Sequence, residues 1–188
     1  MKKYSLVFLF PEEIAGFIRD MKRRLKREAR WFHSCHSDPH MTICEFEASP
    51  GELTPFMQEI RSFSEKQRPF WVRLDSTDTF PGTYYVKPDA YSRQKLQRCA
   101  AALVAAVFGL ELRGWKAHAT VGRRLTAEQF AIATGLFDRL CIDFRFLCDS
   151  ICLREFDPLI QQYRVIHSFT FAGPGKPDSP VVQLNLFS

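Results

Sequence analysis

The sequence predicts an α+β fold of two related lobes, and three observations point to it. Strand-like and helix-like segments alternate, and the alternation runs through the chain twice. Each pass contains a short strand in which a histidine is followed two residues later by a threonine. The 188 residues are 46% hydrophobic and 25% charged, close to an ordinary globular chain and far from a disordered or membrane-embedded one. This length suits one domain or two lobes sharing a core. Residues 1–172 are expected to form that unit, and 173–188 a flexible tail.

Tyr4 to Phe10 reads as a buried strand. Pro11 then opens a helix in which Ile14, Phe17, Ile18, Met21 and Leu25 recur at three- and four-residue spacing. Its basic face, with Lys22, Arg23, Arg24, Lys26, Arg27 and Arg30, reads as solvated surface rather than as the active site. Met41 to Phe46 is strand-like, and Gly51 to Phe63 follows as a helix with Thr54 at the cap and Pro55 at its first position. Phe70 to Val86 predicts a hairpin turning at Phe80-Pro81-Gly82-Thr83. A helix from Ser92 to Phe108 ends at Gly109. The second pass has a strand from Trp115 to Val121 and a helix from Ala127 to Leu140, opened by a Thr126/Gln129 capping box. Two strands close the fold, Phe144 to Phe156 and Tyr163 to Phe171, joined by a turn at Asp157-Pro158.

Composition excludes several classes. Lys2 and Lys3 precede an apolar run, but Pro11-Glu12-Glu13 interrupts it without a small-residue cleavage site, so no signal peptide is expected. No stretch approaches the roughly 18 apolar residues of a membrane span, which predicts a cytoplasmic protein with no membrane partner. The six cysteines form no C-x-x-C pair and read as buried free thiols. A net charge of +5 favours an anionic partner without naming it.

The chemistry resides in two segments, Pro39-His40-Met41-Thr42-Ile43 and Ala117-His118-Ala119-Thr120-Val121. Strand side chains alternate, so His40 and Thr42 share one face, as do His118 and Thr120. If the two strands meet, two imidazoles and two hydroxyls converge on a space the size of a phosphate. An imidazole has an unperturbed pKa near ~6.5, so one can hold a proton while its twin accepts one. That suits in-line displacement at phosphorus without cofactor or metal, the threonine hydroxyls donating to non-bridging oxygens. Lys116 shares the parity of His118 and Arg123 lies just beyond the strand, so both are candidate phosphate-binding cations.

These paired H-x-T motifs resemble the 2H phosphoesterase superfamily, which includes 2'-5' RNA ligases and RNA 2',3'-cyclic phosphodiesterases. The resemblance covers Lys3 to Phe171, and Arg123 fits a basic position common in the cyclic phosphodiesterase branch. It implies a bilobal, pseudo-twofold fold in which two antiparallel sheets line a central groove with helices outside. It also implies that His40 is the acid and His118 the base, acting on a 2',3'-cyclic phosphate or 2'-5' linkage of an RNA end or small nucleotide. Glu45 and Glu47 follow the first motif, an unusual pair of carboxylates beside a site for anions.

Other residues carry weaker signals. His33, Cys35, His36, Asp38 and His40 crowd one loop, but their spacing matches no zinc template. Phe80, Tyr84 and Tyr85 lie on the hairpin and are candidates to stack on a base, although hairpin aromatics are more often core. The tail from Gly173 to Pro180 has linker composition. It leads to Gln183-Leu184-Asn185-Leu186-Phe187, which resembles the peptide by which bacterial repair proteins bind the DNA sliding clamp, with Gln183, Leu184, Leu186 and Phe187 as contacts. A monomeric enzyme is expected; the reading from another class is a non-catalytic nucleic-acid-binding or clamp-associated module.

Overall fold

Helix ends follow from side chains that take up orphan backbone groups. In this computed structural model, which describes residues 1–177, strand β1 (Lys2–Leu9) leads into helix α1 (Glu12–Ala29) through Pro11, and Glu12 and Glu13 in its first turn complement the helix dipole. Strand β2 (His40–Ala48) is followed by helix α2 (Pro50–Lys66). The cap of α2 is Ser49 rather than Thr54: Ser49 and Glu52 form a capping box with Pro50 at the first helical position. Pro55 therefore lies inside the helix and removes one ladder donor.

Strand β3 (Phe70–Phe80) turns through Gly82, at φ 67°, into β4 (Thr83–Pro88). Helix α3 (Ala90–Phe108) begins two residues before the predicted start because the Asp89 carboxylate caps Ser92 N–H at 2.7 Å, and Gly109 ends it at φ 65°. Strand β5 (Ala119–Gly122) is shorter than predicted, so Trp115 to His118 precede the ladder. Helix α4 (Ala127–Phe137) carries the Thr126/Gln129 capping box and ends three residues early.

The predicted strand Phe144 to Phe156 is two strands in different sheets. Strand β6 (Phe144–Cys148) pairs with β3, whereas β7 (Ser150–Asp157) pairs with β1 and with β8 (Gln162–Thr170). The chain crosses between sheets at Asp149. The two antiparallel four-stranded sheets have orders β2-β1-β7-β8 and β5-β4-β3-β6. Strands β2 and β1 thus hold the places in one sheet that β5 and β4 hold in the other, with β7 and β3 third in each. This is an α+β fold with an internal twofold relation, in which β3 joins the sheet of β4 and β5 while the β7–β8 hairpin returns to that of β1 and β2. One hydrophobic cluster joins Leu6, Ile18 and Leu153 with Val86, Leu103 and Val121, so both sheets share a core. Among the described residues no helix is long and apolar enough to cross a membrane.

Two bonds bring the motif-bearing strands together. The Trp115 indole N–H donates to the Thr42 carbonyl at 2.9 Å. The Ser34 hydroxyl, on the loop before β2, donates to the Val121 carbonyl at 3.3 Å and accepts from Arg123 N–H at 3.1 Å. Between β1 and β2 the register slips, so that Val7 pairs with Thr42 but Leu6 with Cys44. Ile43 is the extra residue of a bulge.

Candidate active site

His40 starts β2 and His118 immediately precedes β5. Each imidazole bonds through Nδ1 to the carbonyl two residues upstream, His40 to Asp38 at 2.6 Å and His118 to Lys116 at 2.8 Å. A carbonyl only accepts, so Nδ1 carries the proton in both rings and Nε2 is left to exchange one. Phe80 and Tyr85 pack against His118 with ring centroids 5.2 and 5.3 Å away, and against each other at 4.4 Å. These contacts and the Trp115 bond hold a segment that the β5 ladder does not.

The histidines open into one cavity of about 730 Å³, which Thr42, Thr120, Arg123 and Phe80 also line. Sequence reasoning named all six. Lys116 does not line it: the strand begins at Ala119, so strand parity does not govern Lys116, and its ammonium stands over the Phe80 ring 5.5 Å from the centroid. Tyr84 is fully buried, its hydroxyl donating to Thr77 Oγ1 at 2.9 Å, and Tyr85 lies beneath Phe80 and His118. Neither ring is open to a base, because both are buried on β4, a central strand of its sheet. Gln183, Leu184, Leu186 and Phe187 lie outside the described residues.

The structure adds residues that the motifs did not reveal. Lys22, from the face of α1 read as solvated, is buried and lines the cavity. Its ammonium donates to the Ser34 carbonyl (3.1 Å), the Ser37 carbonyl (2.6 Å) and the Ser37 hydroxyl (2.9 Å), and burial lowers its pKa to about 8. Arg154, on β7, is buried with its Nη1 3.1 Å from His40 Nδ1 and its Nη2 donating to Ser5 Oγ at 3.0 Å. An arginine directly after the apolar run Ile151-Cys152-Leu153 was the available signal, since a charge on a buried strand is rarely placed there by chance. Glu45 also lines the cavity, because the bulge at Ile43 turns it onto the face of Thr42.

Burial and the positive charge of Arg154 lower the pKa of His40 to about 3, outweighing the bond to Asp38, which raises it, and Lys22 and Arg123 add smaller lowering contributions. His40 is therefore neutral near pH 7, with Nε2 left to accept a proton. His33 and Asp38 line the cavity too, but among the described residues no group of three side chains could hold a metal ion.

The family model described as the 2'-5' RNA ligase superfamily matches residues 10–158. No curated protein matches the sequence. Among solved structures, TT0787 of Thermus thermophilus has a TM-score of 0.67 at 21% identity, covering 93% of this chain and all of that one. E. coli LigT complexed with NADP+ has a TM-score of 0.67 at 14% identity, covering 91% of this chain and 98% of that one. LigT complexed with 3'-AMP has a TM-score of 0.63 at 12% identity, with coverage of 90% and 97%. At these identities the likeness shows the fold.

Proposed function

The chain belongs to the 2'-5' RNA ligase superfamily, which supports an enzyme of phosphoesterase type, and on that premise we propose that it hydrolyses 2',3'-cyclic phosphates on RNA ends or nucleotides without a metal ion. One observation carries the reading. Two imidazoles with their Nδ1 atoms occupied by backbone carbonyls present Nε2 to one cavity, each beside a threonine. Water attacks phosphorus as one Nε2 takes its proton, and the bond from phosphorus to a ribose oxygen breaks as the other Nε2 protonates that oxygen. Thr42, Thr120 and Arg123 hold the non-bridging oxygens, where charge must be stabilised, and Phe80 offers a face to the base. With a 5'-hydroxyl in place of water, the same geometry takes that hydroxyl's proton at one Nε2, forms the new bond to phosphorus and releases the protonated 3' oxygen, leaving a 2'-5' linkage.

The lowered pKa of His40 favours it as the base and leaves His118 as the acid, the reverse of what the motif resemblance implied. Unpaired cysteines suit a reducing compartment, which supports work in the cytoplasm. The tail sequence Gln183 to Phe187 supports recruitment to a DNA sliding clamp.

Turnover of a nucleoside 2',3'-cyclic phosphate in excess chelator tests the reaction. His40→Ala and His118→Ala should each lower kcat by roughly 10²–10⁴-fold. In residual kcat/KM against pH, His40→Ala should lose the acidic limb and His118→Ala the alkaline one. An undiminished rate in either variant removes that histidine from the mechanism, and exchanged limbs restore the opposite assignment.

A further inference from the structure

Among the cavity's basic side chains, Arg154 feels its neighbouring carboxylates, Glu45 and Asp38, through space and without an ion pair. Five basic side chains line the cavity: Arg19, Lys22, Arg123, Arg154 and Arg164. Arg19 pairs with Glu12, Arg164 with Asp157 at 3.0 Å, and Lys22 spends its donors on Ser34 and Ser37. Arg123 is given to the reacting phosphate by the reading above. Arg154 remains.

Arg154 is 5% exposed, yet among the described residues it forms no ion pair and its Nε is buried without a hydrogen-bond partner. Its Nη1 is 3.1 Å from His40 Nδ1. That nitrogen cannot accept, because its own proton goes to the Asp38 carbonyl at 2.6 Å. Ser5 holds Nη2 and the Tyr163 ring lies 5.0 Å from the guanidinium carbon, so the group is anchored and stacked while part of its donor edge has no acceptor. A buried guanidinium is costly unless an anion meets it, and its planar fork fits an oxyanion.

The cavity also runs beyond the histidines over Arg154 to Phe156 and Tyr163 on the β7–β8 hairpin, and its size suits a ligand larger than a phosphate. We propose that Arg154, backed by Tyr163, forms a second anionic subsite, and that the substrate carries a phosphate on the 5' side of the nucleoside whose cyclic phosphate reacts. A terminal nucleoside with its 2' and 3' oxygens in the ring phosphate has its 5' oxygen left for another. This rests on the phosphoesterase reading for the identity of the first phosphate. The 5'-phosphate has two sources, a free nucleotide or the preceding linkage of an RNA chain.

Binding reads the subsite better than turnover, because Arg154 also sets the proton affinity of His40. Calorimetry would compare a nucleoside 2'-phosphate, the matching 2',5'-bisphosphate, and a dinucleotide ending in a 2'-phosphate, on the full chain and on Arg154→Gln. The native protein should bind the bisphosphate roughly tenfold or more tighter than the monophosphate, and Arg154→Gln should reduce that advantage to below about threefold. An equal gain with the dinucleotide shows that the preceding linkage of an RNA chain fits the subsite, and its absence restricts the subsite to the 5'-phosphate of a free nucleotide. If Arg154→Gln does not fold, Arg154→Lys, which keeps the charge but loses the fork, should still reduce the advantage. Equal affinities in the native protein, or an advantage retained in the folded variant, overturn the subsite. A protein that discriminates in this way but turns over no cyclic phosphate keeps the subsite and loses the proposed reaction.

Discussion

His40 shows how neighbours set one side chain's chemistry. Its ring is the same imidazole as that of His118, but β2 places it beside Arg154, Lys22 and Arg123, and burial adds to their effect. The consequence extends to stability. In the unfolded chain the group titrates near 6.5, and in the folded protein near 3. Between those values the unfolded state binds a proton that the folded state does not, so this contribution to stability is present above about pH 6.5 and is lost as the pH falls towards 3. The thermal midpoint of the native protein should therefore drop more steeply from pH 6.5 to 4 than that of His40→Gln. Parallel curves would show that the folded environment does not oppose the imidazolium.

At the scale of elements, the loop between α1 and β2 is the piece on which the site depends, because it carries Asp38, whose carbonyl fixes the His40 tautomer. Lys22 reaches into this loop from α1, and Ser34 fastens it to β5. Lys22→Met preserves the bulk but leaves the Ser34 and Ser37 carbonyls without this donor, a loss of about 1–3 kcal/mol of stability. It should also displace His40 enough to lower kcat/KM by roughly tenfold to a hundredfold. Chemical denaturation and initial rates measure the two effects, and a variant with native stability and rate would show that the loop holds without the ammonium. The bulge at Ile43 acts on the same scale: a single extra residue puts Glu45 on the cavity side, where period-two alternation from Thr42 would place Cys44.

For the whole molecule, the exchange of strands between sheets gives both motifs one cavity. Strand β3 follows the first helix pair yet joins the second sheet, and β7 follows the second pair yet joins the first. Neither half is complete alone, and the shared core welds them. The proposed clamp contact belongs to this scale as well, since a tail beyond the catalytic unit can recruit it without altering the cavity. Deletion of residues 183–188 should abolish capture by purified sliding clamp and leave cyclic-phosphate turnover unchanged. Capture by the truncated chain would eliminate the peptide, and a fall in turnover would tie the tail to the catalytic unit.

The sequence by itself determined the two H-x-T segments, the alternation of strands and helices, the capping box at Thr126 and the stop at Gly109. Each is written in short-range spacing that backbone geometry reads directly. Arg123 was legible for the same reason, lying a few residues beyond His118. Only the tertiary structure decided that Phe144 to Phe156 divides between sheets, that Lys116 stands over Phe80 instead of lining the cavity, that Tyr84 and Tyr85 are buried, and that Lys22, Arg154 and Glu45 line it. Those outcomes depend on strand partners and on one bulge. Charge, burial and proton affinity at His40 arise from residues as distant as Arg154, 114 positions along the chain, and no local pattern encodes a meeting of that kind.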